Sequence, residues 1–494
     1  MTDFVFALIA FVLGYFFSWW ILFSGHGWGV SAFTTAYLLT VSVYLTKKGA
    51  FVNSLPAWFW FIVTWVAGAS FSFWDNEGFN SARVMFLFCS AVYYVIVASG
   101  RTIMGKTSNY LFADGINAVI LIPFSNIINQ YVSFSVLGKK EKRGKALSVL
   151  FGILVSFVLA LILVPLLLRA DSGGFGIILN SIADVFKFIT TDYILYAIFA
   201  IPIAAYVFGL ISGAAHKKGT DIIKQEASGK TIESLRFLQP ATVYIVFGAV
   251  CGIFLVFIFS QIPYFFSAFT GKRPEGWLVY ADYARQGFFE LCGIAAINFV
   301  ILMAGNMMCK KRRDESPILK AFIIALAIIT LVLIATAFSK MALYIGAYGL
   351  TMPRLLPCVF MAFLAAVFLG LIALQKWDFP LVRCSLVTGA VIVCALCLSN
   401  PDAMVVRYNT DRYLNGTLAE YDTDILFRAG SAGVLPALEV YETTSDEELK
   451  EDLVWFFKSQ TSMVEDDDSY SISSLSLESN RAYRRLAEIE WDTP

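Results

Sequence analysis

A carboxylate inside an apolar helix is the chemically loaded feature of this chain. Glu290 lies in "YARQGFFELCGIAAIN", about one helical turn inside an apolar run, with Gln286 one turn before it and Arg285 beside Gln286. An ionised carboxylate at that depth is costly unless it is paired or hydrated, so it marks a functional site by default. Cations able to answer it are Arg285, Lys340 and Arg354. Lys340, Tyr344 and Tyr348 recur every four residues, which places them on one helical face. In "YGLTMPR", Gly349 can release that helix, Thr351 follows, and Pro353 can start the next one, leaving Arg354 at its mouth. Two readings stay open. Tyrosines and basic residues anchor helix ends at a membrane interface, or this face lines a polar cavity. Asn400 and Asp402 in "NPDAMVVRYN" suit the cap of a helix with Pro401 in its first turn, or a further wall of that cavity. Asn298 and Asn306, deeper in the Glu290 helix, suit interhelical hydrogen bonding.

These residues need a membrane to make sense. The 494 residues are 58% hydrophobic and 15% charged, whereas soluble domains are about 45–50% apolar and about 25% charged. Apolar runs of spanning length cover 3–24, 29–46, 55–74, 82–99, 148–168, 191–213, 241–262, 288–308, 318–338, 355–374 and 381–399. The expected fold is an all-α polytopic bundle of about eleven transmembrane helices, followed by a small helical, partly disordered tail. The expected segments are 1–112, with four spans; 113–147, an inner-face interfacial or re-entrant stretch with a basic loop; 148–399, with seven spans; and 400–494, the tail.

Basic residues orient the bundle. With the N-terminus inside, Lys47, Lys48, Arg101, Lys106, Lys139, Lys140, Lys142, Arg143, Lys145, Lys217, Lys218, Lys310, Lys311, Arg312 and Arg313 all fall in inner loops. This holds only if Ile116–Gly138, which carries Pro123, Asn126, Asn129 and Gln130, does not span. Gly174–Ile189 reads as an interfacial helix on the outer face. The polar segments around Glu290, Arg354 and Asn400 then share the outer face, and the tail is extracytoplasmic. Within the tail, Asp446–Gln460 reads as an amphipathic helix. "VEDDDSYSISSLSLESN" reads as a flexible acidic strip and "RAYRRLAEIEW" as a short helix, while Gly430 and Gly433 break the stretch before them into two helices.

Several chemistries find no support. No GxxxxGK[ST], G-x-S-x-G or H-E-x-x-H segment is present. The two histidines are far apart, and all eight cysteines lie in or beside apolar runs, which implies neither a metal, a cofactor nor a disulfide framework. Cys394 and Cys397 have redox spacing but read as small buried apolar residues. The +0 formal charge offers nothing to nucleic acid. Asp75 and Glu77 in "WDNEGFN" form a weak acidic pair that reads as a solvated turn.

In order along the chain, "YARQGFFELCGIAAIN", "YGLTMPR" and "NPDAMVVRYN" resemble a bacterial multipass membrane family of unknown function (the DUF4153/DUF4173 type). The likeness runs from about Leu238 into the start of the tail. The matching positions include Arg285, Gly287, Glu290, Tyr348, Gly349, Thr351, Arg354, Asn400 and Asp402. The resemblance implies a protein of the bacterial cytoplasmic membrane and transfers no catalytic residue. The expected candidate site is the outer-face set Arg285, Gln286, Glu290, Lys340, Tyr344, Tyr348, Thr351, Arg354, Asn400 and Asp402. The expected activity is that of a transporter or flippase-like carrier of an envelope-related small molecule or lipid. The alternatives are a sensor or scaffold that meets an envelope partner through its tail, and a membrane-embedded transferase using Glu290, Asp282 and Asp402. Beyond these, the lipid bilayer is the expected partner.

Overall fold

The computed structural model describes residues 2–105, 107–134, 192–219, 233–270, 280–465 and 474–489, together with Ser156, Leu163 and Leu167. Among them the structure is helical, with no strand beyond an isolated bridge between Leu238 and Cys309. Ten helices in the described residues are long and apolar enough to cross a membrane. They coincide with ten of the expected runs; the run 148–168 and the expected interfacial helix 174–189 lie outside the described residues. The chain is a multi-pass helical membrane protein whose spanning helices face lipid.

The chain forms two compact units. One comprises 1–73, 84–223 and 467–477; the other comprises 74–83, 224–466 and 478–494.

In the first unit, α1 (Thr2–Phe17), α2 (Trp28–Lys47), α3 (Leu55–Phe73), most of α4 (Asn80–Ala98) and α8 (Asp192–His216) are accompanied by three short helices. These are α5 (Leu111–Ile116), α6 (Ile122–Asn126) and α7 (Asn129–Phe134). Lipid chains are as apolar as leucine, so helix association here rests on close backbone approach and buried polar bonds. Gly14 provides such an approach: a Cβ there would lie 2.6 Å from the Ala200 carbonyl. The segment carrying Pro123 is a broken helix with its polar groups turned into protein. Asn126 donates to the carbonyls of Ile122 and Lys218 at 2.8 Å each, and Gln130 donates to that of Ala7 at 3.2 Å. Asp3 pairs with Lys48 at 2.6 Å and approaches His216 at 3.8 Å. The start of α1, the end of α2 and the end of α8 therefore share one end of this unit.

The second unit contains α9 (Pro240–Thr270), α10 (Tyr280–Met308), α11 (Pro317–Tyr348), α12 (Met352–Ala373) and α13 (Leu381–Ser399). Their core includes Phe247, Phe288, Leu326, Leu333, Met361 and Phe368. Asn298 on α10 donates to Thr330 Oγ1 on α11 at 2.9 Å, the interhelical bond expected of it. At one end of the unit, Arg236 donates to the Cys309 carbonyl and Arg313 reaches the Leu374 carbonyl and Asp378. At the opposite end sit α14 (Pro401–Leu414), α15 (Asp424–Ala429), α16 (Val434–Thr443), α17 (Glu447–Glu465) and α18 (Leu477–Ala487). These tail helices enclose their own core, in which Leu453, Phe456, Phe457, Ala437 and Leu486 are buried. Gly430–Gly433 forms the short 3-10 turn between α15 and α16, where the glycines were expected to break the chain.

Candidate functional site

The site is built at the turn between α11 and α12. Gly349 ends α11 with φ 77°, a conformation glycine adopts without strain. Pro353 stands in the first turn of α12. A long helix ends with carbonyls that lack intrahelical partners, and two arginines meet them. Arg354 donates to the carbonyls of Tyr348 (2.8 Å) and Gly349, and its guanidinium lies 4.1 Å from the centre of the Tyr344 ring. Arg412 on α14 donates to the carbonyls of Ile345 (3.0 Å) and Gly346 (2.9 Å). Asn409 grips the turn from the same helix, accepting from Leu350 N–H and donating to its carbonyl at 2.7 Å each.

The start of α14 is held as tightly. Asn400, at φ 50°, caps it by accepting from Ala403 N–H at 3.2 Å, as its position suggested. Asp402 accepts instead from Gly78 N–H at 2.9 Å, and Glu478 accepts from Asp75 N–H at 3.1 Å and from Asn400 at 2.5 Å. Ser431 donates to the Asp75 carboxylate at 2.8 Å, and fully buried Arg83 donates to the carbonyls of Trp74 and Asp75 and to Asn80. The segment 74–83 is therefore fastened to the tail helices, and Asp75 is engaged there rather than sitting in a solvated turn.

Burial sets the charge state of these acids. It pushes the Asp402 carboxyl up to about 6, against the pull of Gly78 N–H and Arg83 and with the push of Asp75. It pushes Glu478 up to about 7, opposed by its bonds to Asp75 N–H and Asn400. Asp75 is raised by burial and restrained by Ser431 and Arg83.

Between these fastenings lies a cleft of 660 Å³. Its charged lining is Glu77, Asp402, Asp422, Asp424, Arg354 and Arg428, and its apolar lining includes Phe289, Tyr344, Met352, Val405 and Ile425. That volume is in the usual range for a small-molecule site. Of the expected set, Tyr344, Thr351, Arg354 and Asp402 line this cleft together. Glu290 and buried Lys340 do not line it; they lie within electrostatic reach of each other along α10 and α11. The Tyr348 ring lies 5.4 Å from that of Tyr344, tilted by 60°, and its carbonyl accepts from Arg354, while Asn400 serves as a cap. Arg285, Gln286 and Asp282 are on α10, and their side chains lie outside the described residues.

Sequence reasoning passed over Asp422, Asp424, Arg428, Arg412, Asn409 and Glu478. All belong to the tail, where nothing local distinguishes them from ordinary surface charge. The spacing of Asp424 and Arg428, one turn apart on a short helix, was the available signal for two of them.

Among known proteins, residues 61–440 match the family described as Domain of unknown function (DUF4153). No curated protein and no solved structure matches the chain. The matched stretch takes in the cleft lining from Glu77 through Arg428, seven of the ten candidate spans whole and most of an eighth, and the chain belongs to the DUF4153 family.

Proposed function

We propose that this protein is a carrier in the bacterial cytoplasmic membrane that receives a small polar, envelope-related molecule from the outer face. The observation that carries this reading is the cleft of 660 Å³ at the ends of α10, α11 and α12, with carboxylates and guanidinium groups on its walls. In this reading the N-terminus is cytoplasmic and the tail extracytoplasmic, as the basic loops suggest. Arg354 braces the α11–α12 turn, Tyr344 and Thr351 shape the floor, and Asp402 with the tail acids forms the opposite wall. The Glu290 and Lys340 charges lie along the neighbouring helices and supply a polar step toward the membrane interior.

Flux into proteoliposomes tests this. The full chain is reconstituted and offered labelled amino acids, amines, sugar phosphates and fluorescent lipids. Uptake or flipping above that of empty vesicles, reduced at least tenfold by Arg428→Gln or Asp424→Asn, is the expected result. Binding of probes by the purified protein with no flux for any of them would overturn the carrier reading.

A second reading has its own observation. Bonds from Asp402, Ser431 and Glu478 fasten the tail to segment 74–83. A tail held that way suits a sensor that passes ligand or partner binding to the membrane helices. Binding without flux would favour it.

A further inference from the structure

We propose that the cleft takes a zwitterion: a molecule with an ammonium group, held by the tail carboxylates, and an anionic group, held by Arg428. This rests on the reading of the cleft as a binding site and adds the chemical class of its ligand.

The balance of charge on the walls is the starting point. Four carboxylates, from Glu77, Asp402, Asp422 and Asp424, face two guanidinium groups, from Arg354 and Arg428. Arg354 is committed to the carbonyls of Tyr348 and Gly349 and to the Tyr344 ring. That leaves Arg428 as the cation available to a ligand, against an excess of acid. Like charges lining one cleft repel one another, and a bound cation relieves that repulsion.

Asp402 gives the set a direction. It is 2% exposed and lines the cleft, and among the described residues one of its oxygens, Oδ2, accepts a hydrogen bond, from Gly78 N–H. Asp424 and Arg428 are exposed and one turn apart on α15, and no ion pair found among the described residues includes either. They are placed to meet opposite ends of one molecule. Phe289, 45% exposed and also on the wall, presents a ring suited to an ammonium group. Among the described residues no three acids, histidines or cysteines converge closely enough to hold a metal ion. The carboxylates surround a space for an organic cation instead. An anion without an ammonium group would meet the carboxylate excess, and a diamine would leave Arg428 opposed by a like charge.

An aminoalkyl phosphate has this chemistry, either as a free molecule or as the headgroup of an aminophospholipid. The cleft lies at helix ends, so both sources can reach it. Calorimetric titration of the purified full chain in detergent compares phosphoethanolamine, putrescine and inorganic phosphate. Phosphoethanolamine is expected to bind saturably and at least tenfold tighter than the other two. Asp424→Asn should weaken it about tenfold, and Arg428→Gln should reduce it to the level of putrescine. The unfolding temperature of each variant without ligand controls for loss of fold. Titration in nanodiscs then separates the sources. Loss of phosphoethanolamine binding in phosphatidylethanolamine discs, but not in phosphatidylglycerol discs, assigns the site to the lipid headgroup; retention in both assigns it to the soluble molecule. Phosphate binding as tightly as phosphoethanolamine, no binding of any of the three probes, or indifference to both substitutions would overturn the inference. Flux of a probe lacking an ammonium group would overturn it while leaving the carrier reading intact; selective binding without flux would do the reverse.

Discussion

At the scale of single residues, two arginines and an asparagine hold the turn from which the cleft is built. Arg412 matters most, because it reaches from α14 to the last carbonyls of α11 and also donates to the Thr417 carbonyl at 2.6 Å. A cation on helix C-terminal carbonyls combines hydrogen bonding with a favourable dipole. Arg412→Ala is expected to lower stability by about 1–2 kcal/mol, read as a fall in unfolding temperature in detergent. The buried acids give a pH dependence of definite sign. Asp402 rises from an ordinary 3.8 to about 6 and Glu478 from 4.5 to about 7, so the fold binds their protons more tightly than the unfolded chain does. Their ionisation costs the fold nothing below about pH 4, where both states are protonated, and the full amount above about pH 7. Unfolding temperature should therefore fall as pH is raised from 4 toward 7. Asp402→Asn with Glu478→Gln should flatten that slope; an unchanged slope in the double variant would assign it to other groups. Part of this was legible in the sequence. Gly349, Pro353 and the Asn400 cap announce themselves by local turn and helix-end chemistry. Arg412, Asn409 and Glu478 did not, because each acts on a partner more than fifty residues away and nothing in its own neighbourhood records that.

At the scale of elements, hydrophobic length alone located the spanning helices, since the bilayer thickness fixes how many apolar residues a helix needs. The tail helices were legible for a different reason: glycine breaks and amphipathic spacing survive in a polar sequence. What length and pattern do not record is which helices touch. That depends on small residues at crossings. Gly14 sits where a Cβ would lie 2.6 Å from the Ala200 carbonyl, whereas Gly252 has nothing within 4 Å of its added Cβ. Gly14→Val is expected to destabilise the first unit by about 1–3 kcal/mol through overpacking. Gly252→Ala should be neutral or stabilising by up to about 1 kcal/mol, because alanine suits a helix better than glycine. Comparing unfolding temperatures and detergent-extracted yield of the two variants checks this; equal losses would contradict the packing argument.

At the scale of the whole molecule, the acidic segment 74–83 joins the second unit although α3 before it and most of α4 after it belong to the first. That assignment is carried by Gly78, Asp75 and Arg83, whose partners lie hundreds of residues on or within the turn itself. Serial reading of the chain could not supply it. The membrane orientation is where every functional reading meets: a cleft that receives envelope-side molecules must open on the outer face. The direct measurement is cysteine labelling in spheroplasts with a membrane-impermeant maleimide. Arg428→Cys, in the cleft, is compared with Lys311→Cys at the opposite end of the same unit, both against the background of the native chain. Labelling of Arg428→Cys in intact spheroplasts, with Lys311→Cys reacting only after permeabilisation, is the expected result. The reverse pattern would place the cleft on the cytoplasmic side and contradict reception of an envelope-side molecule there.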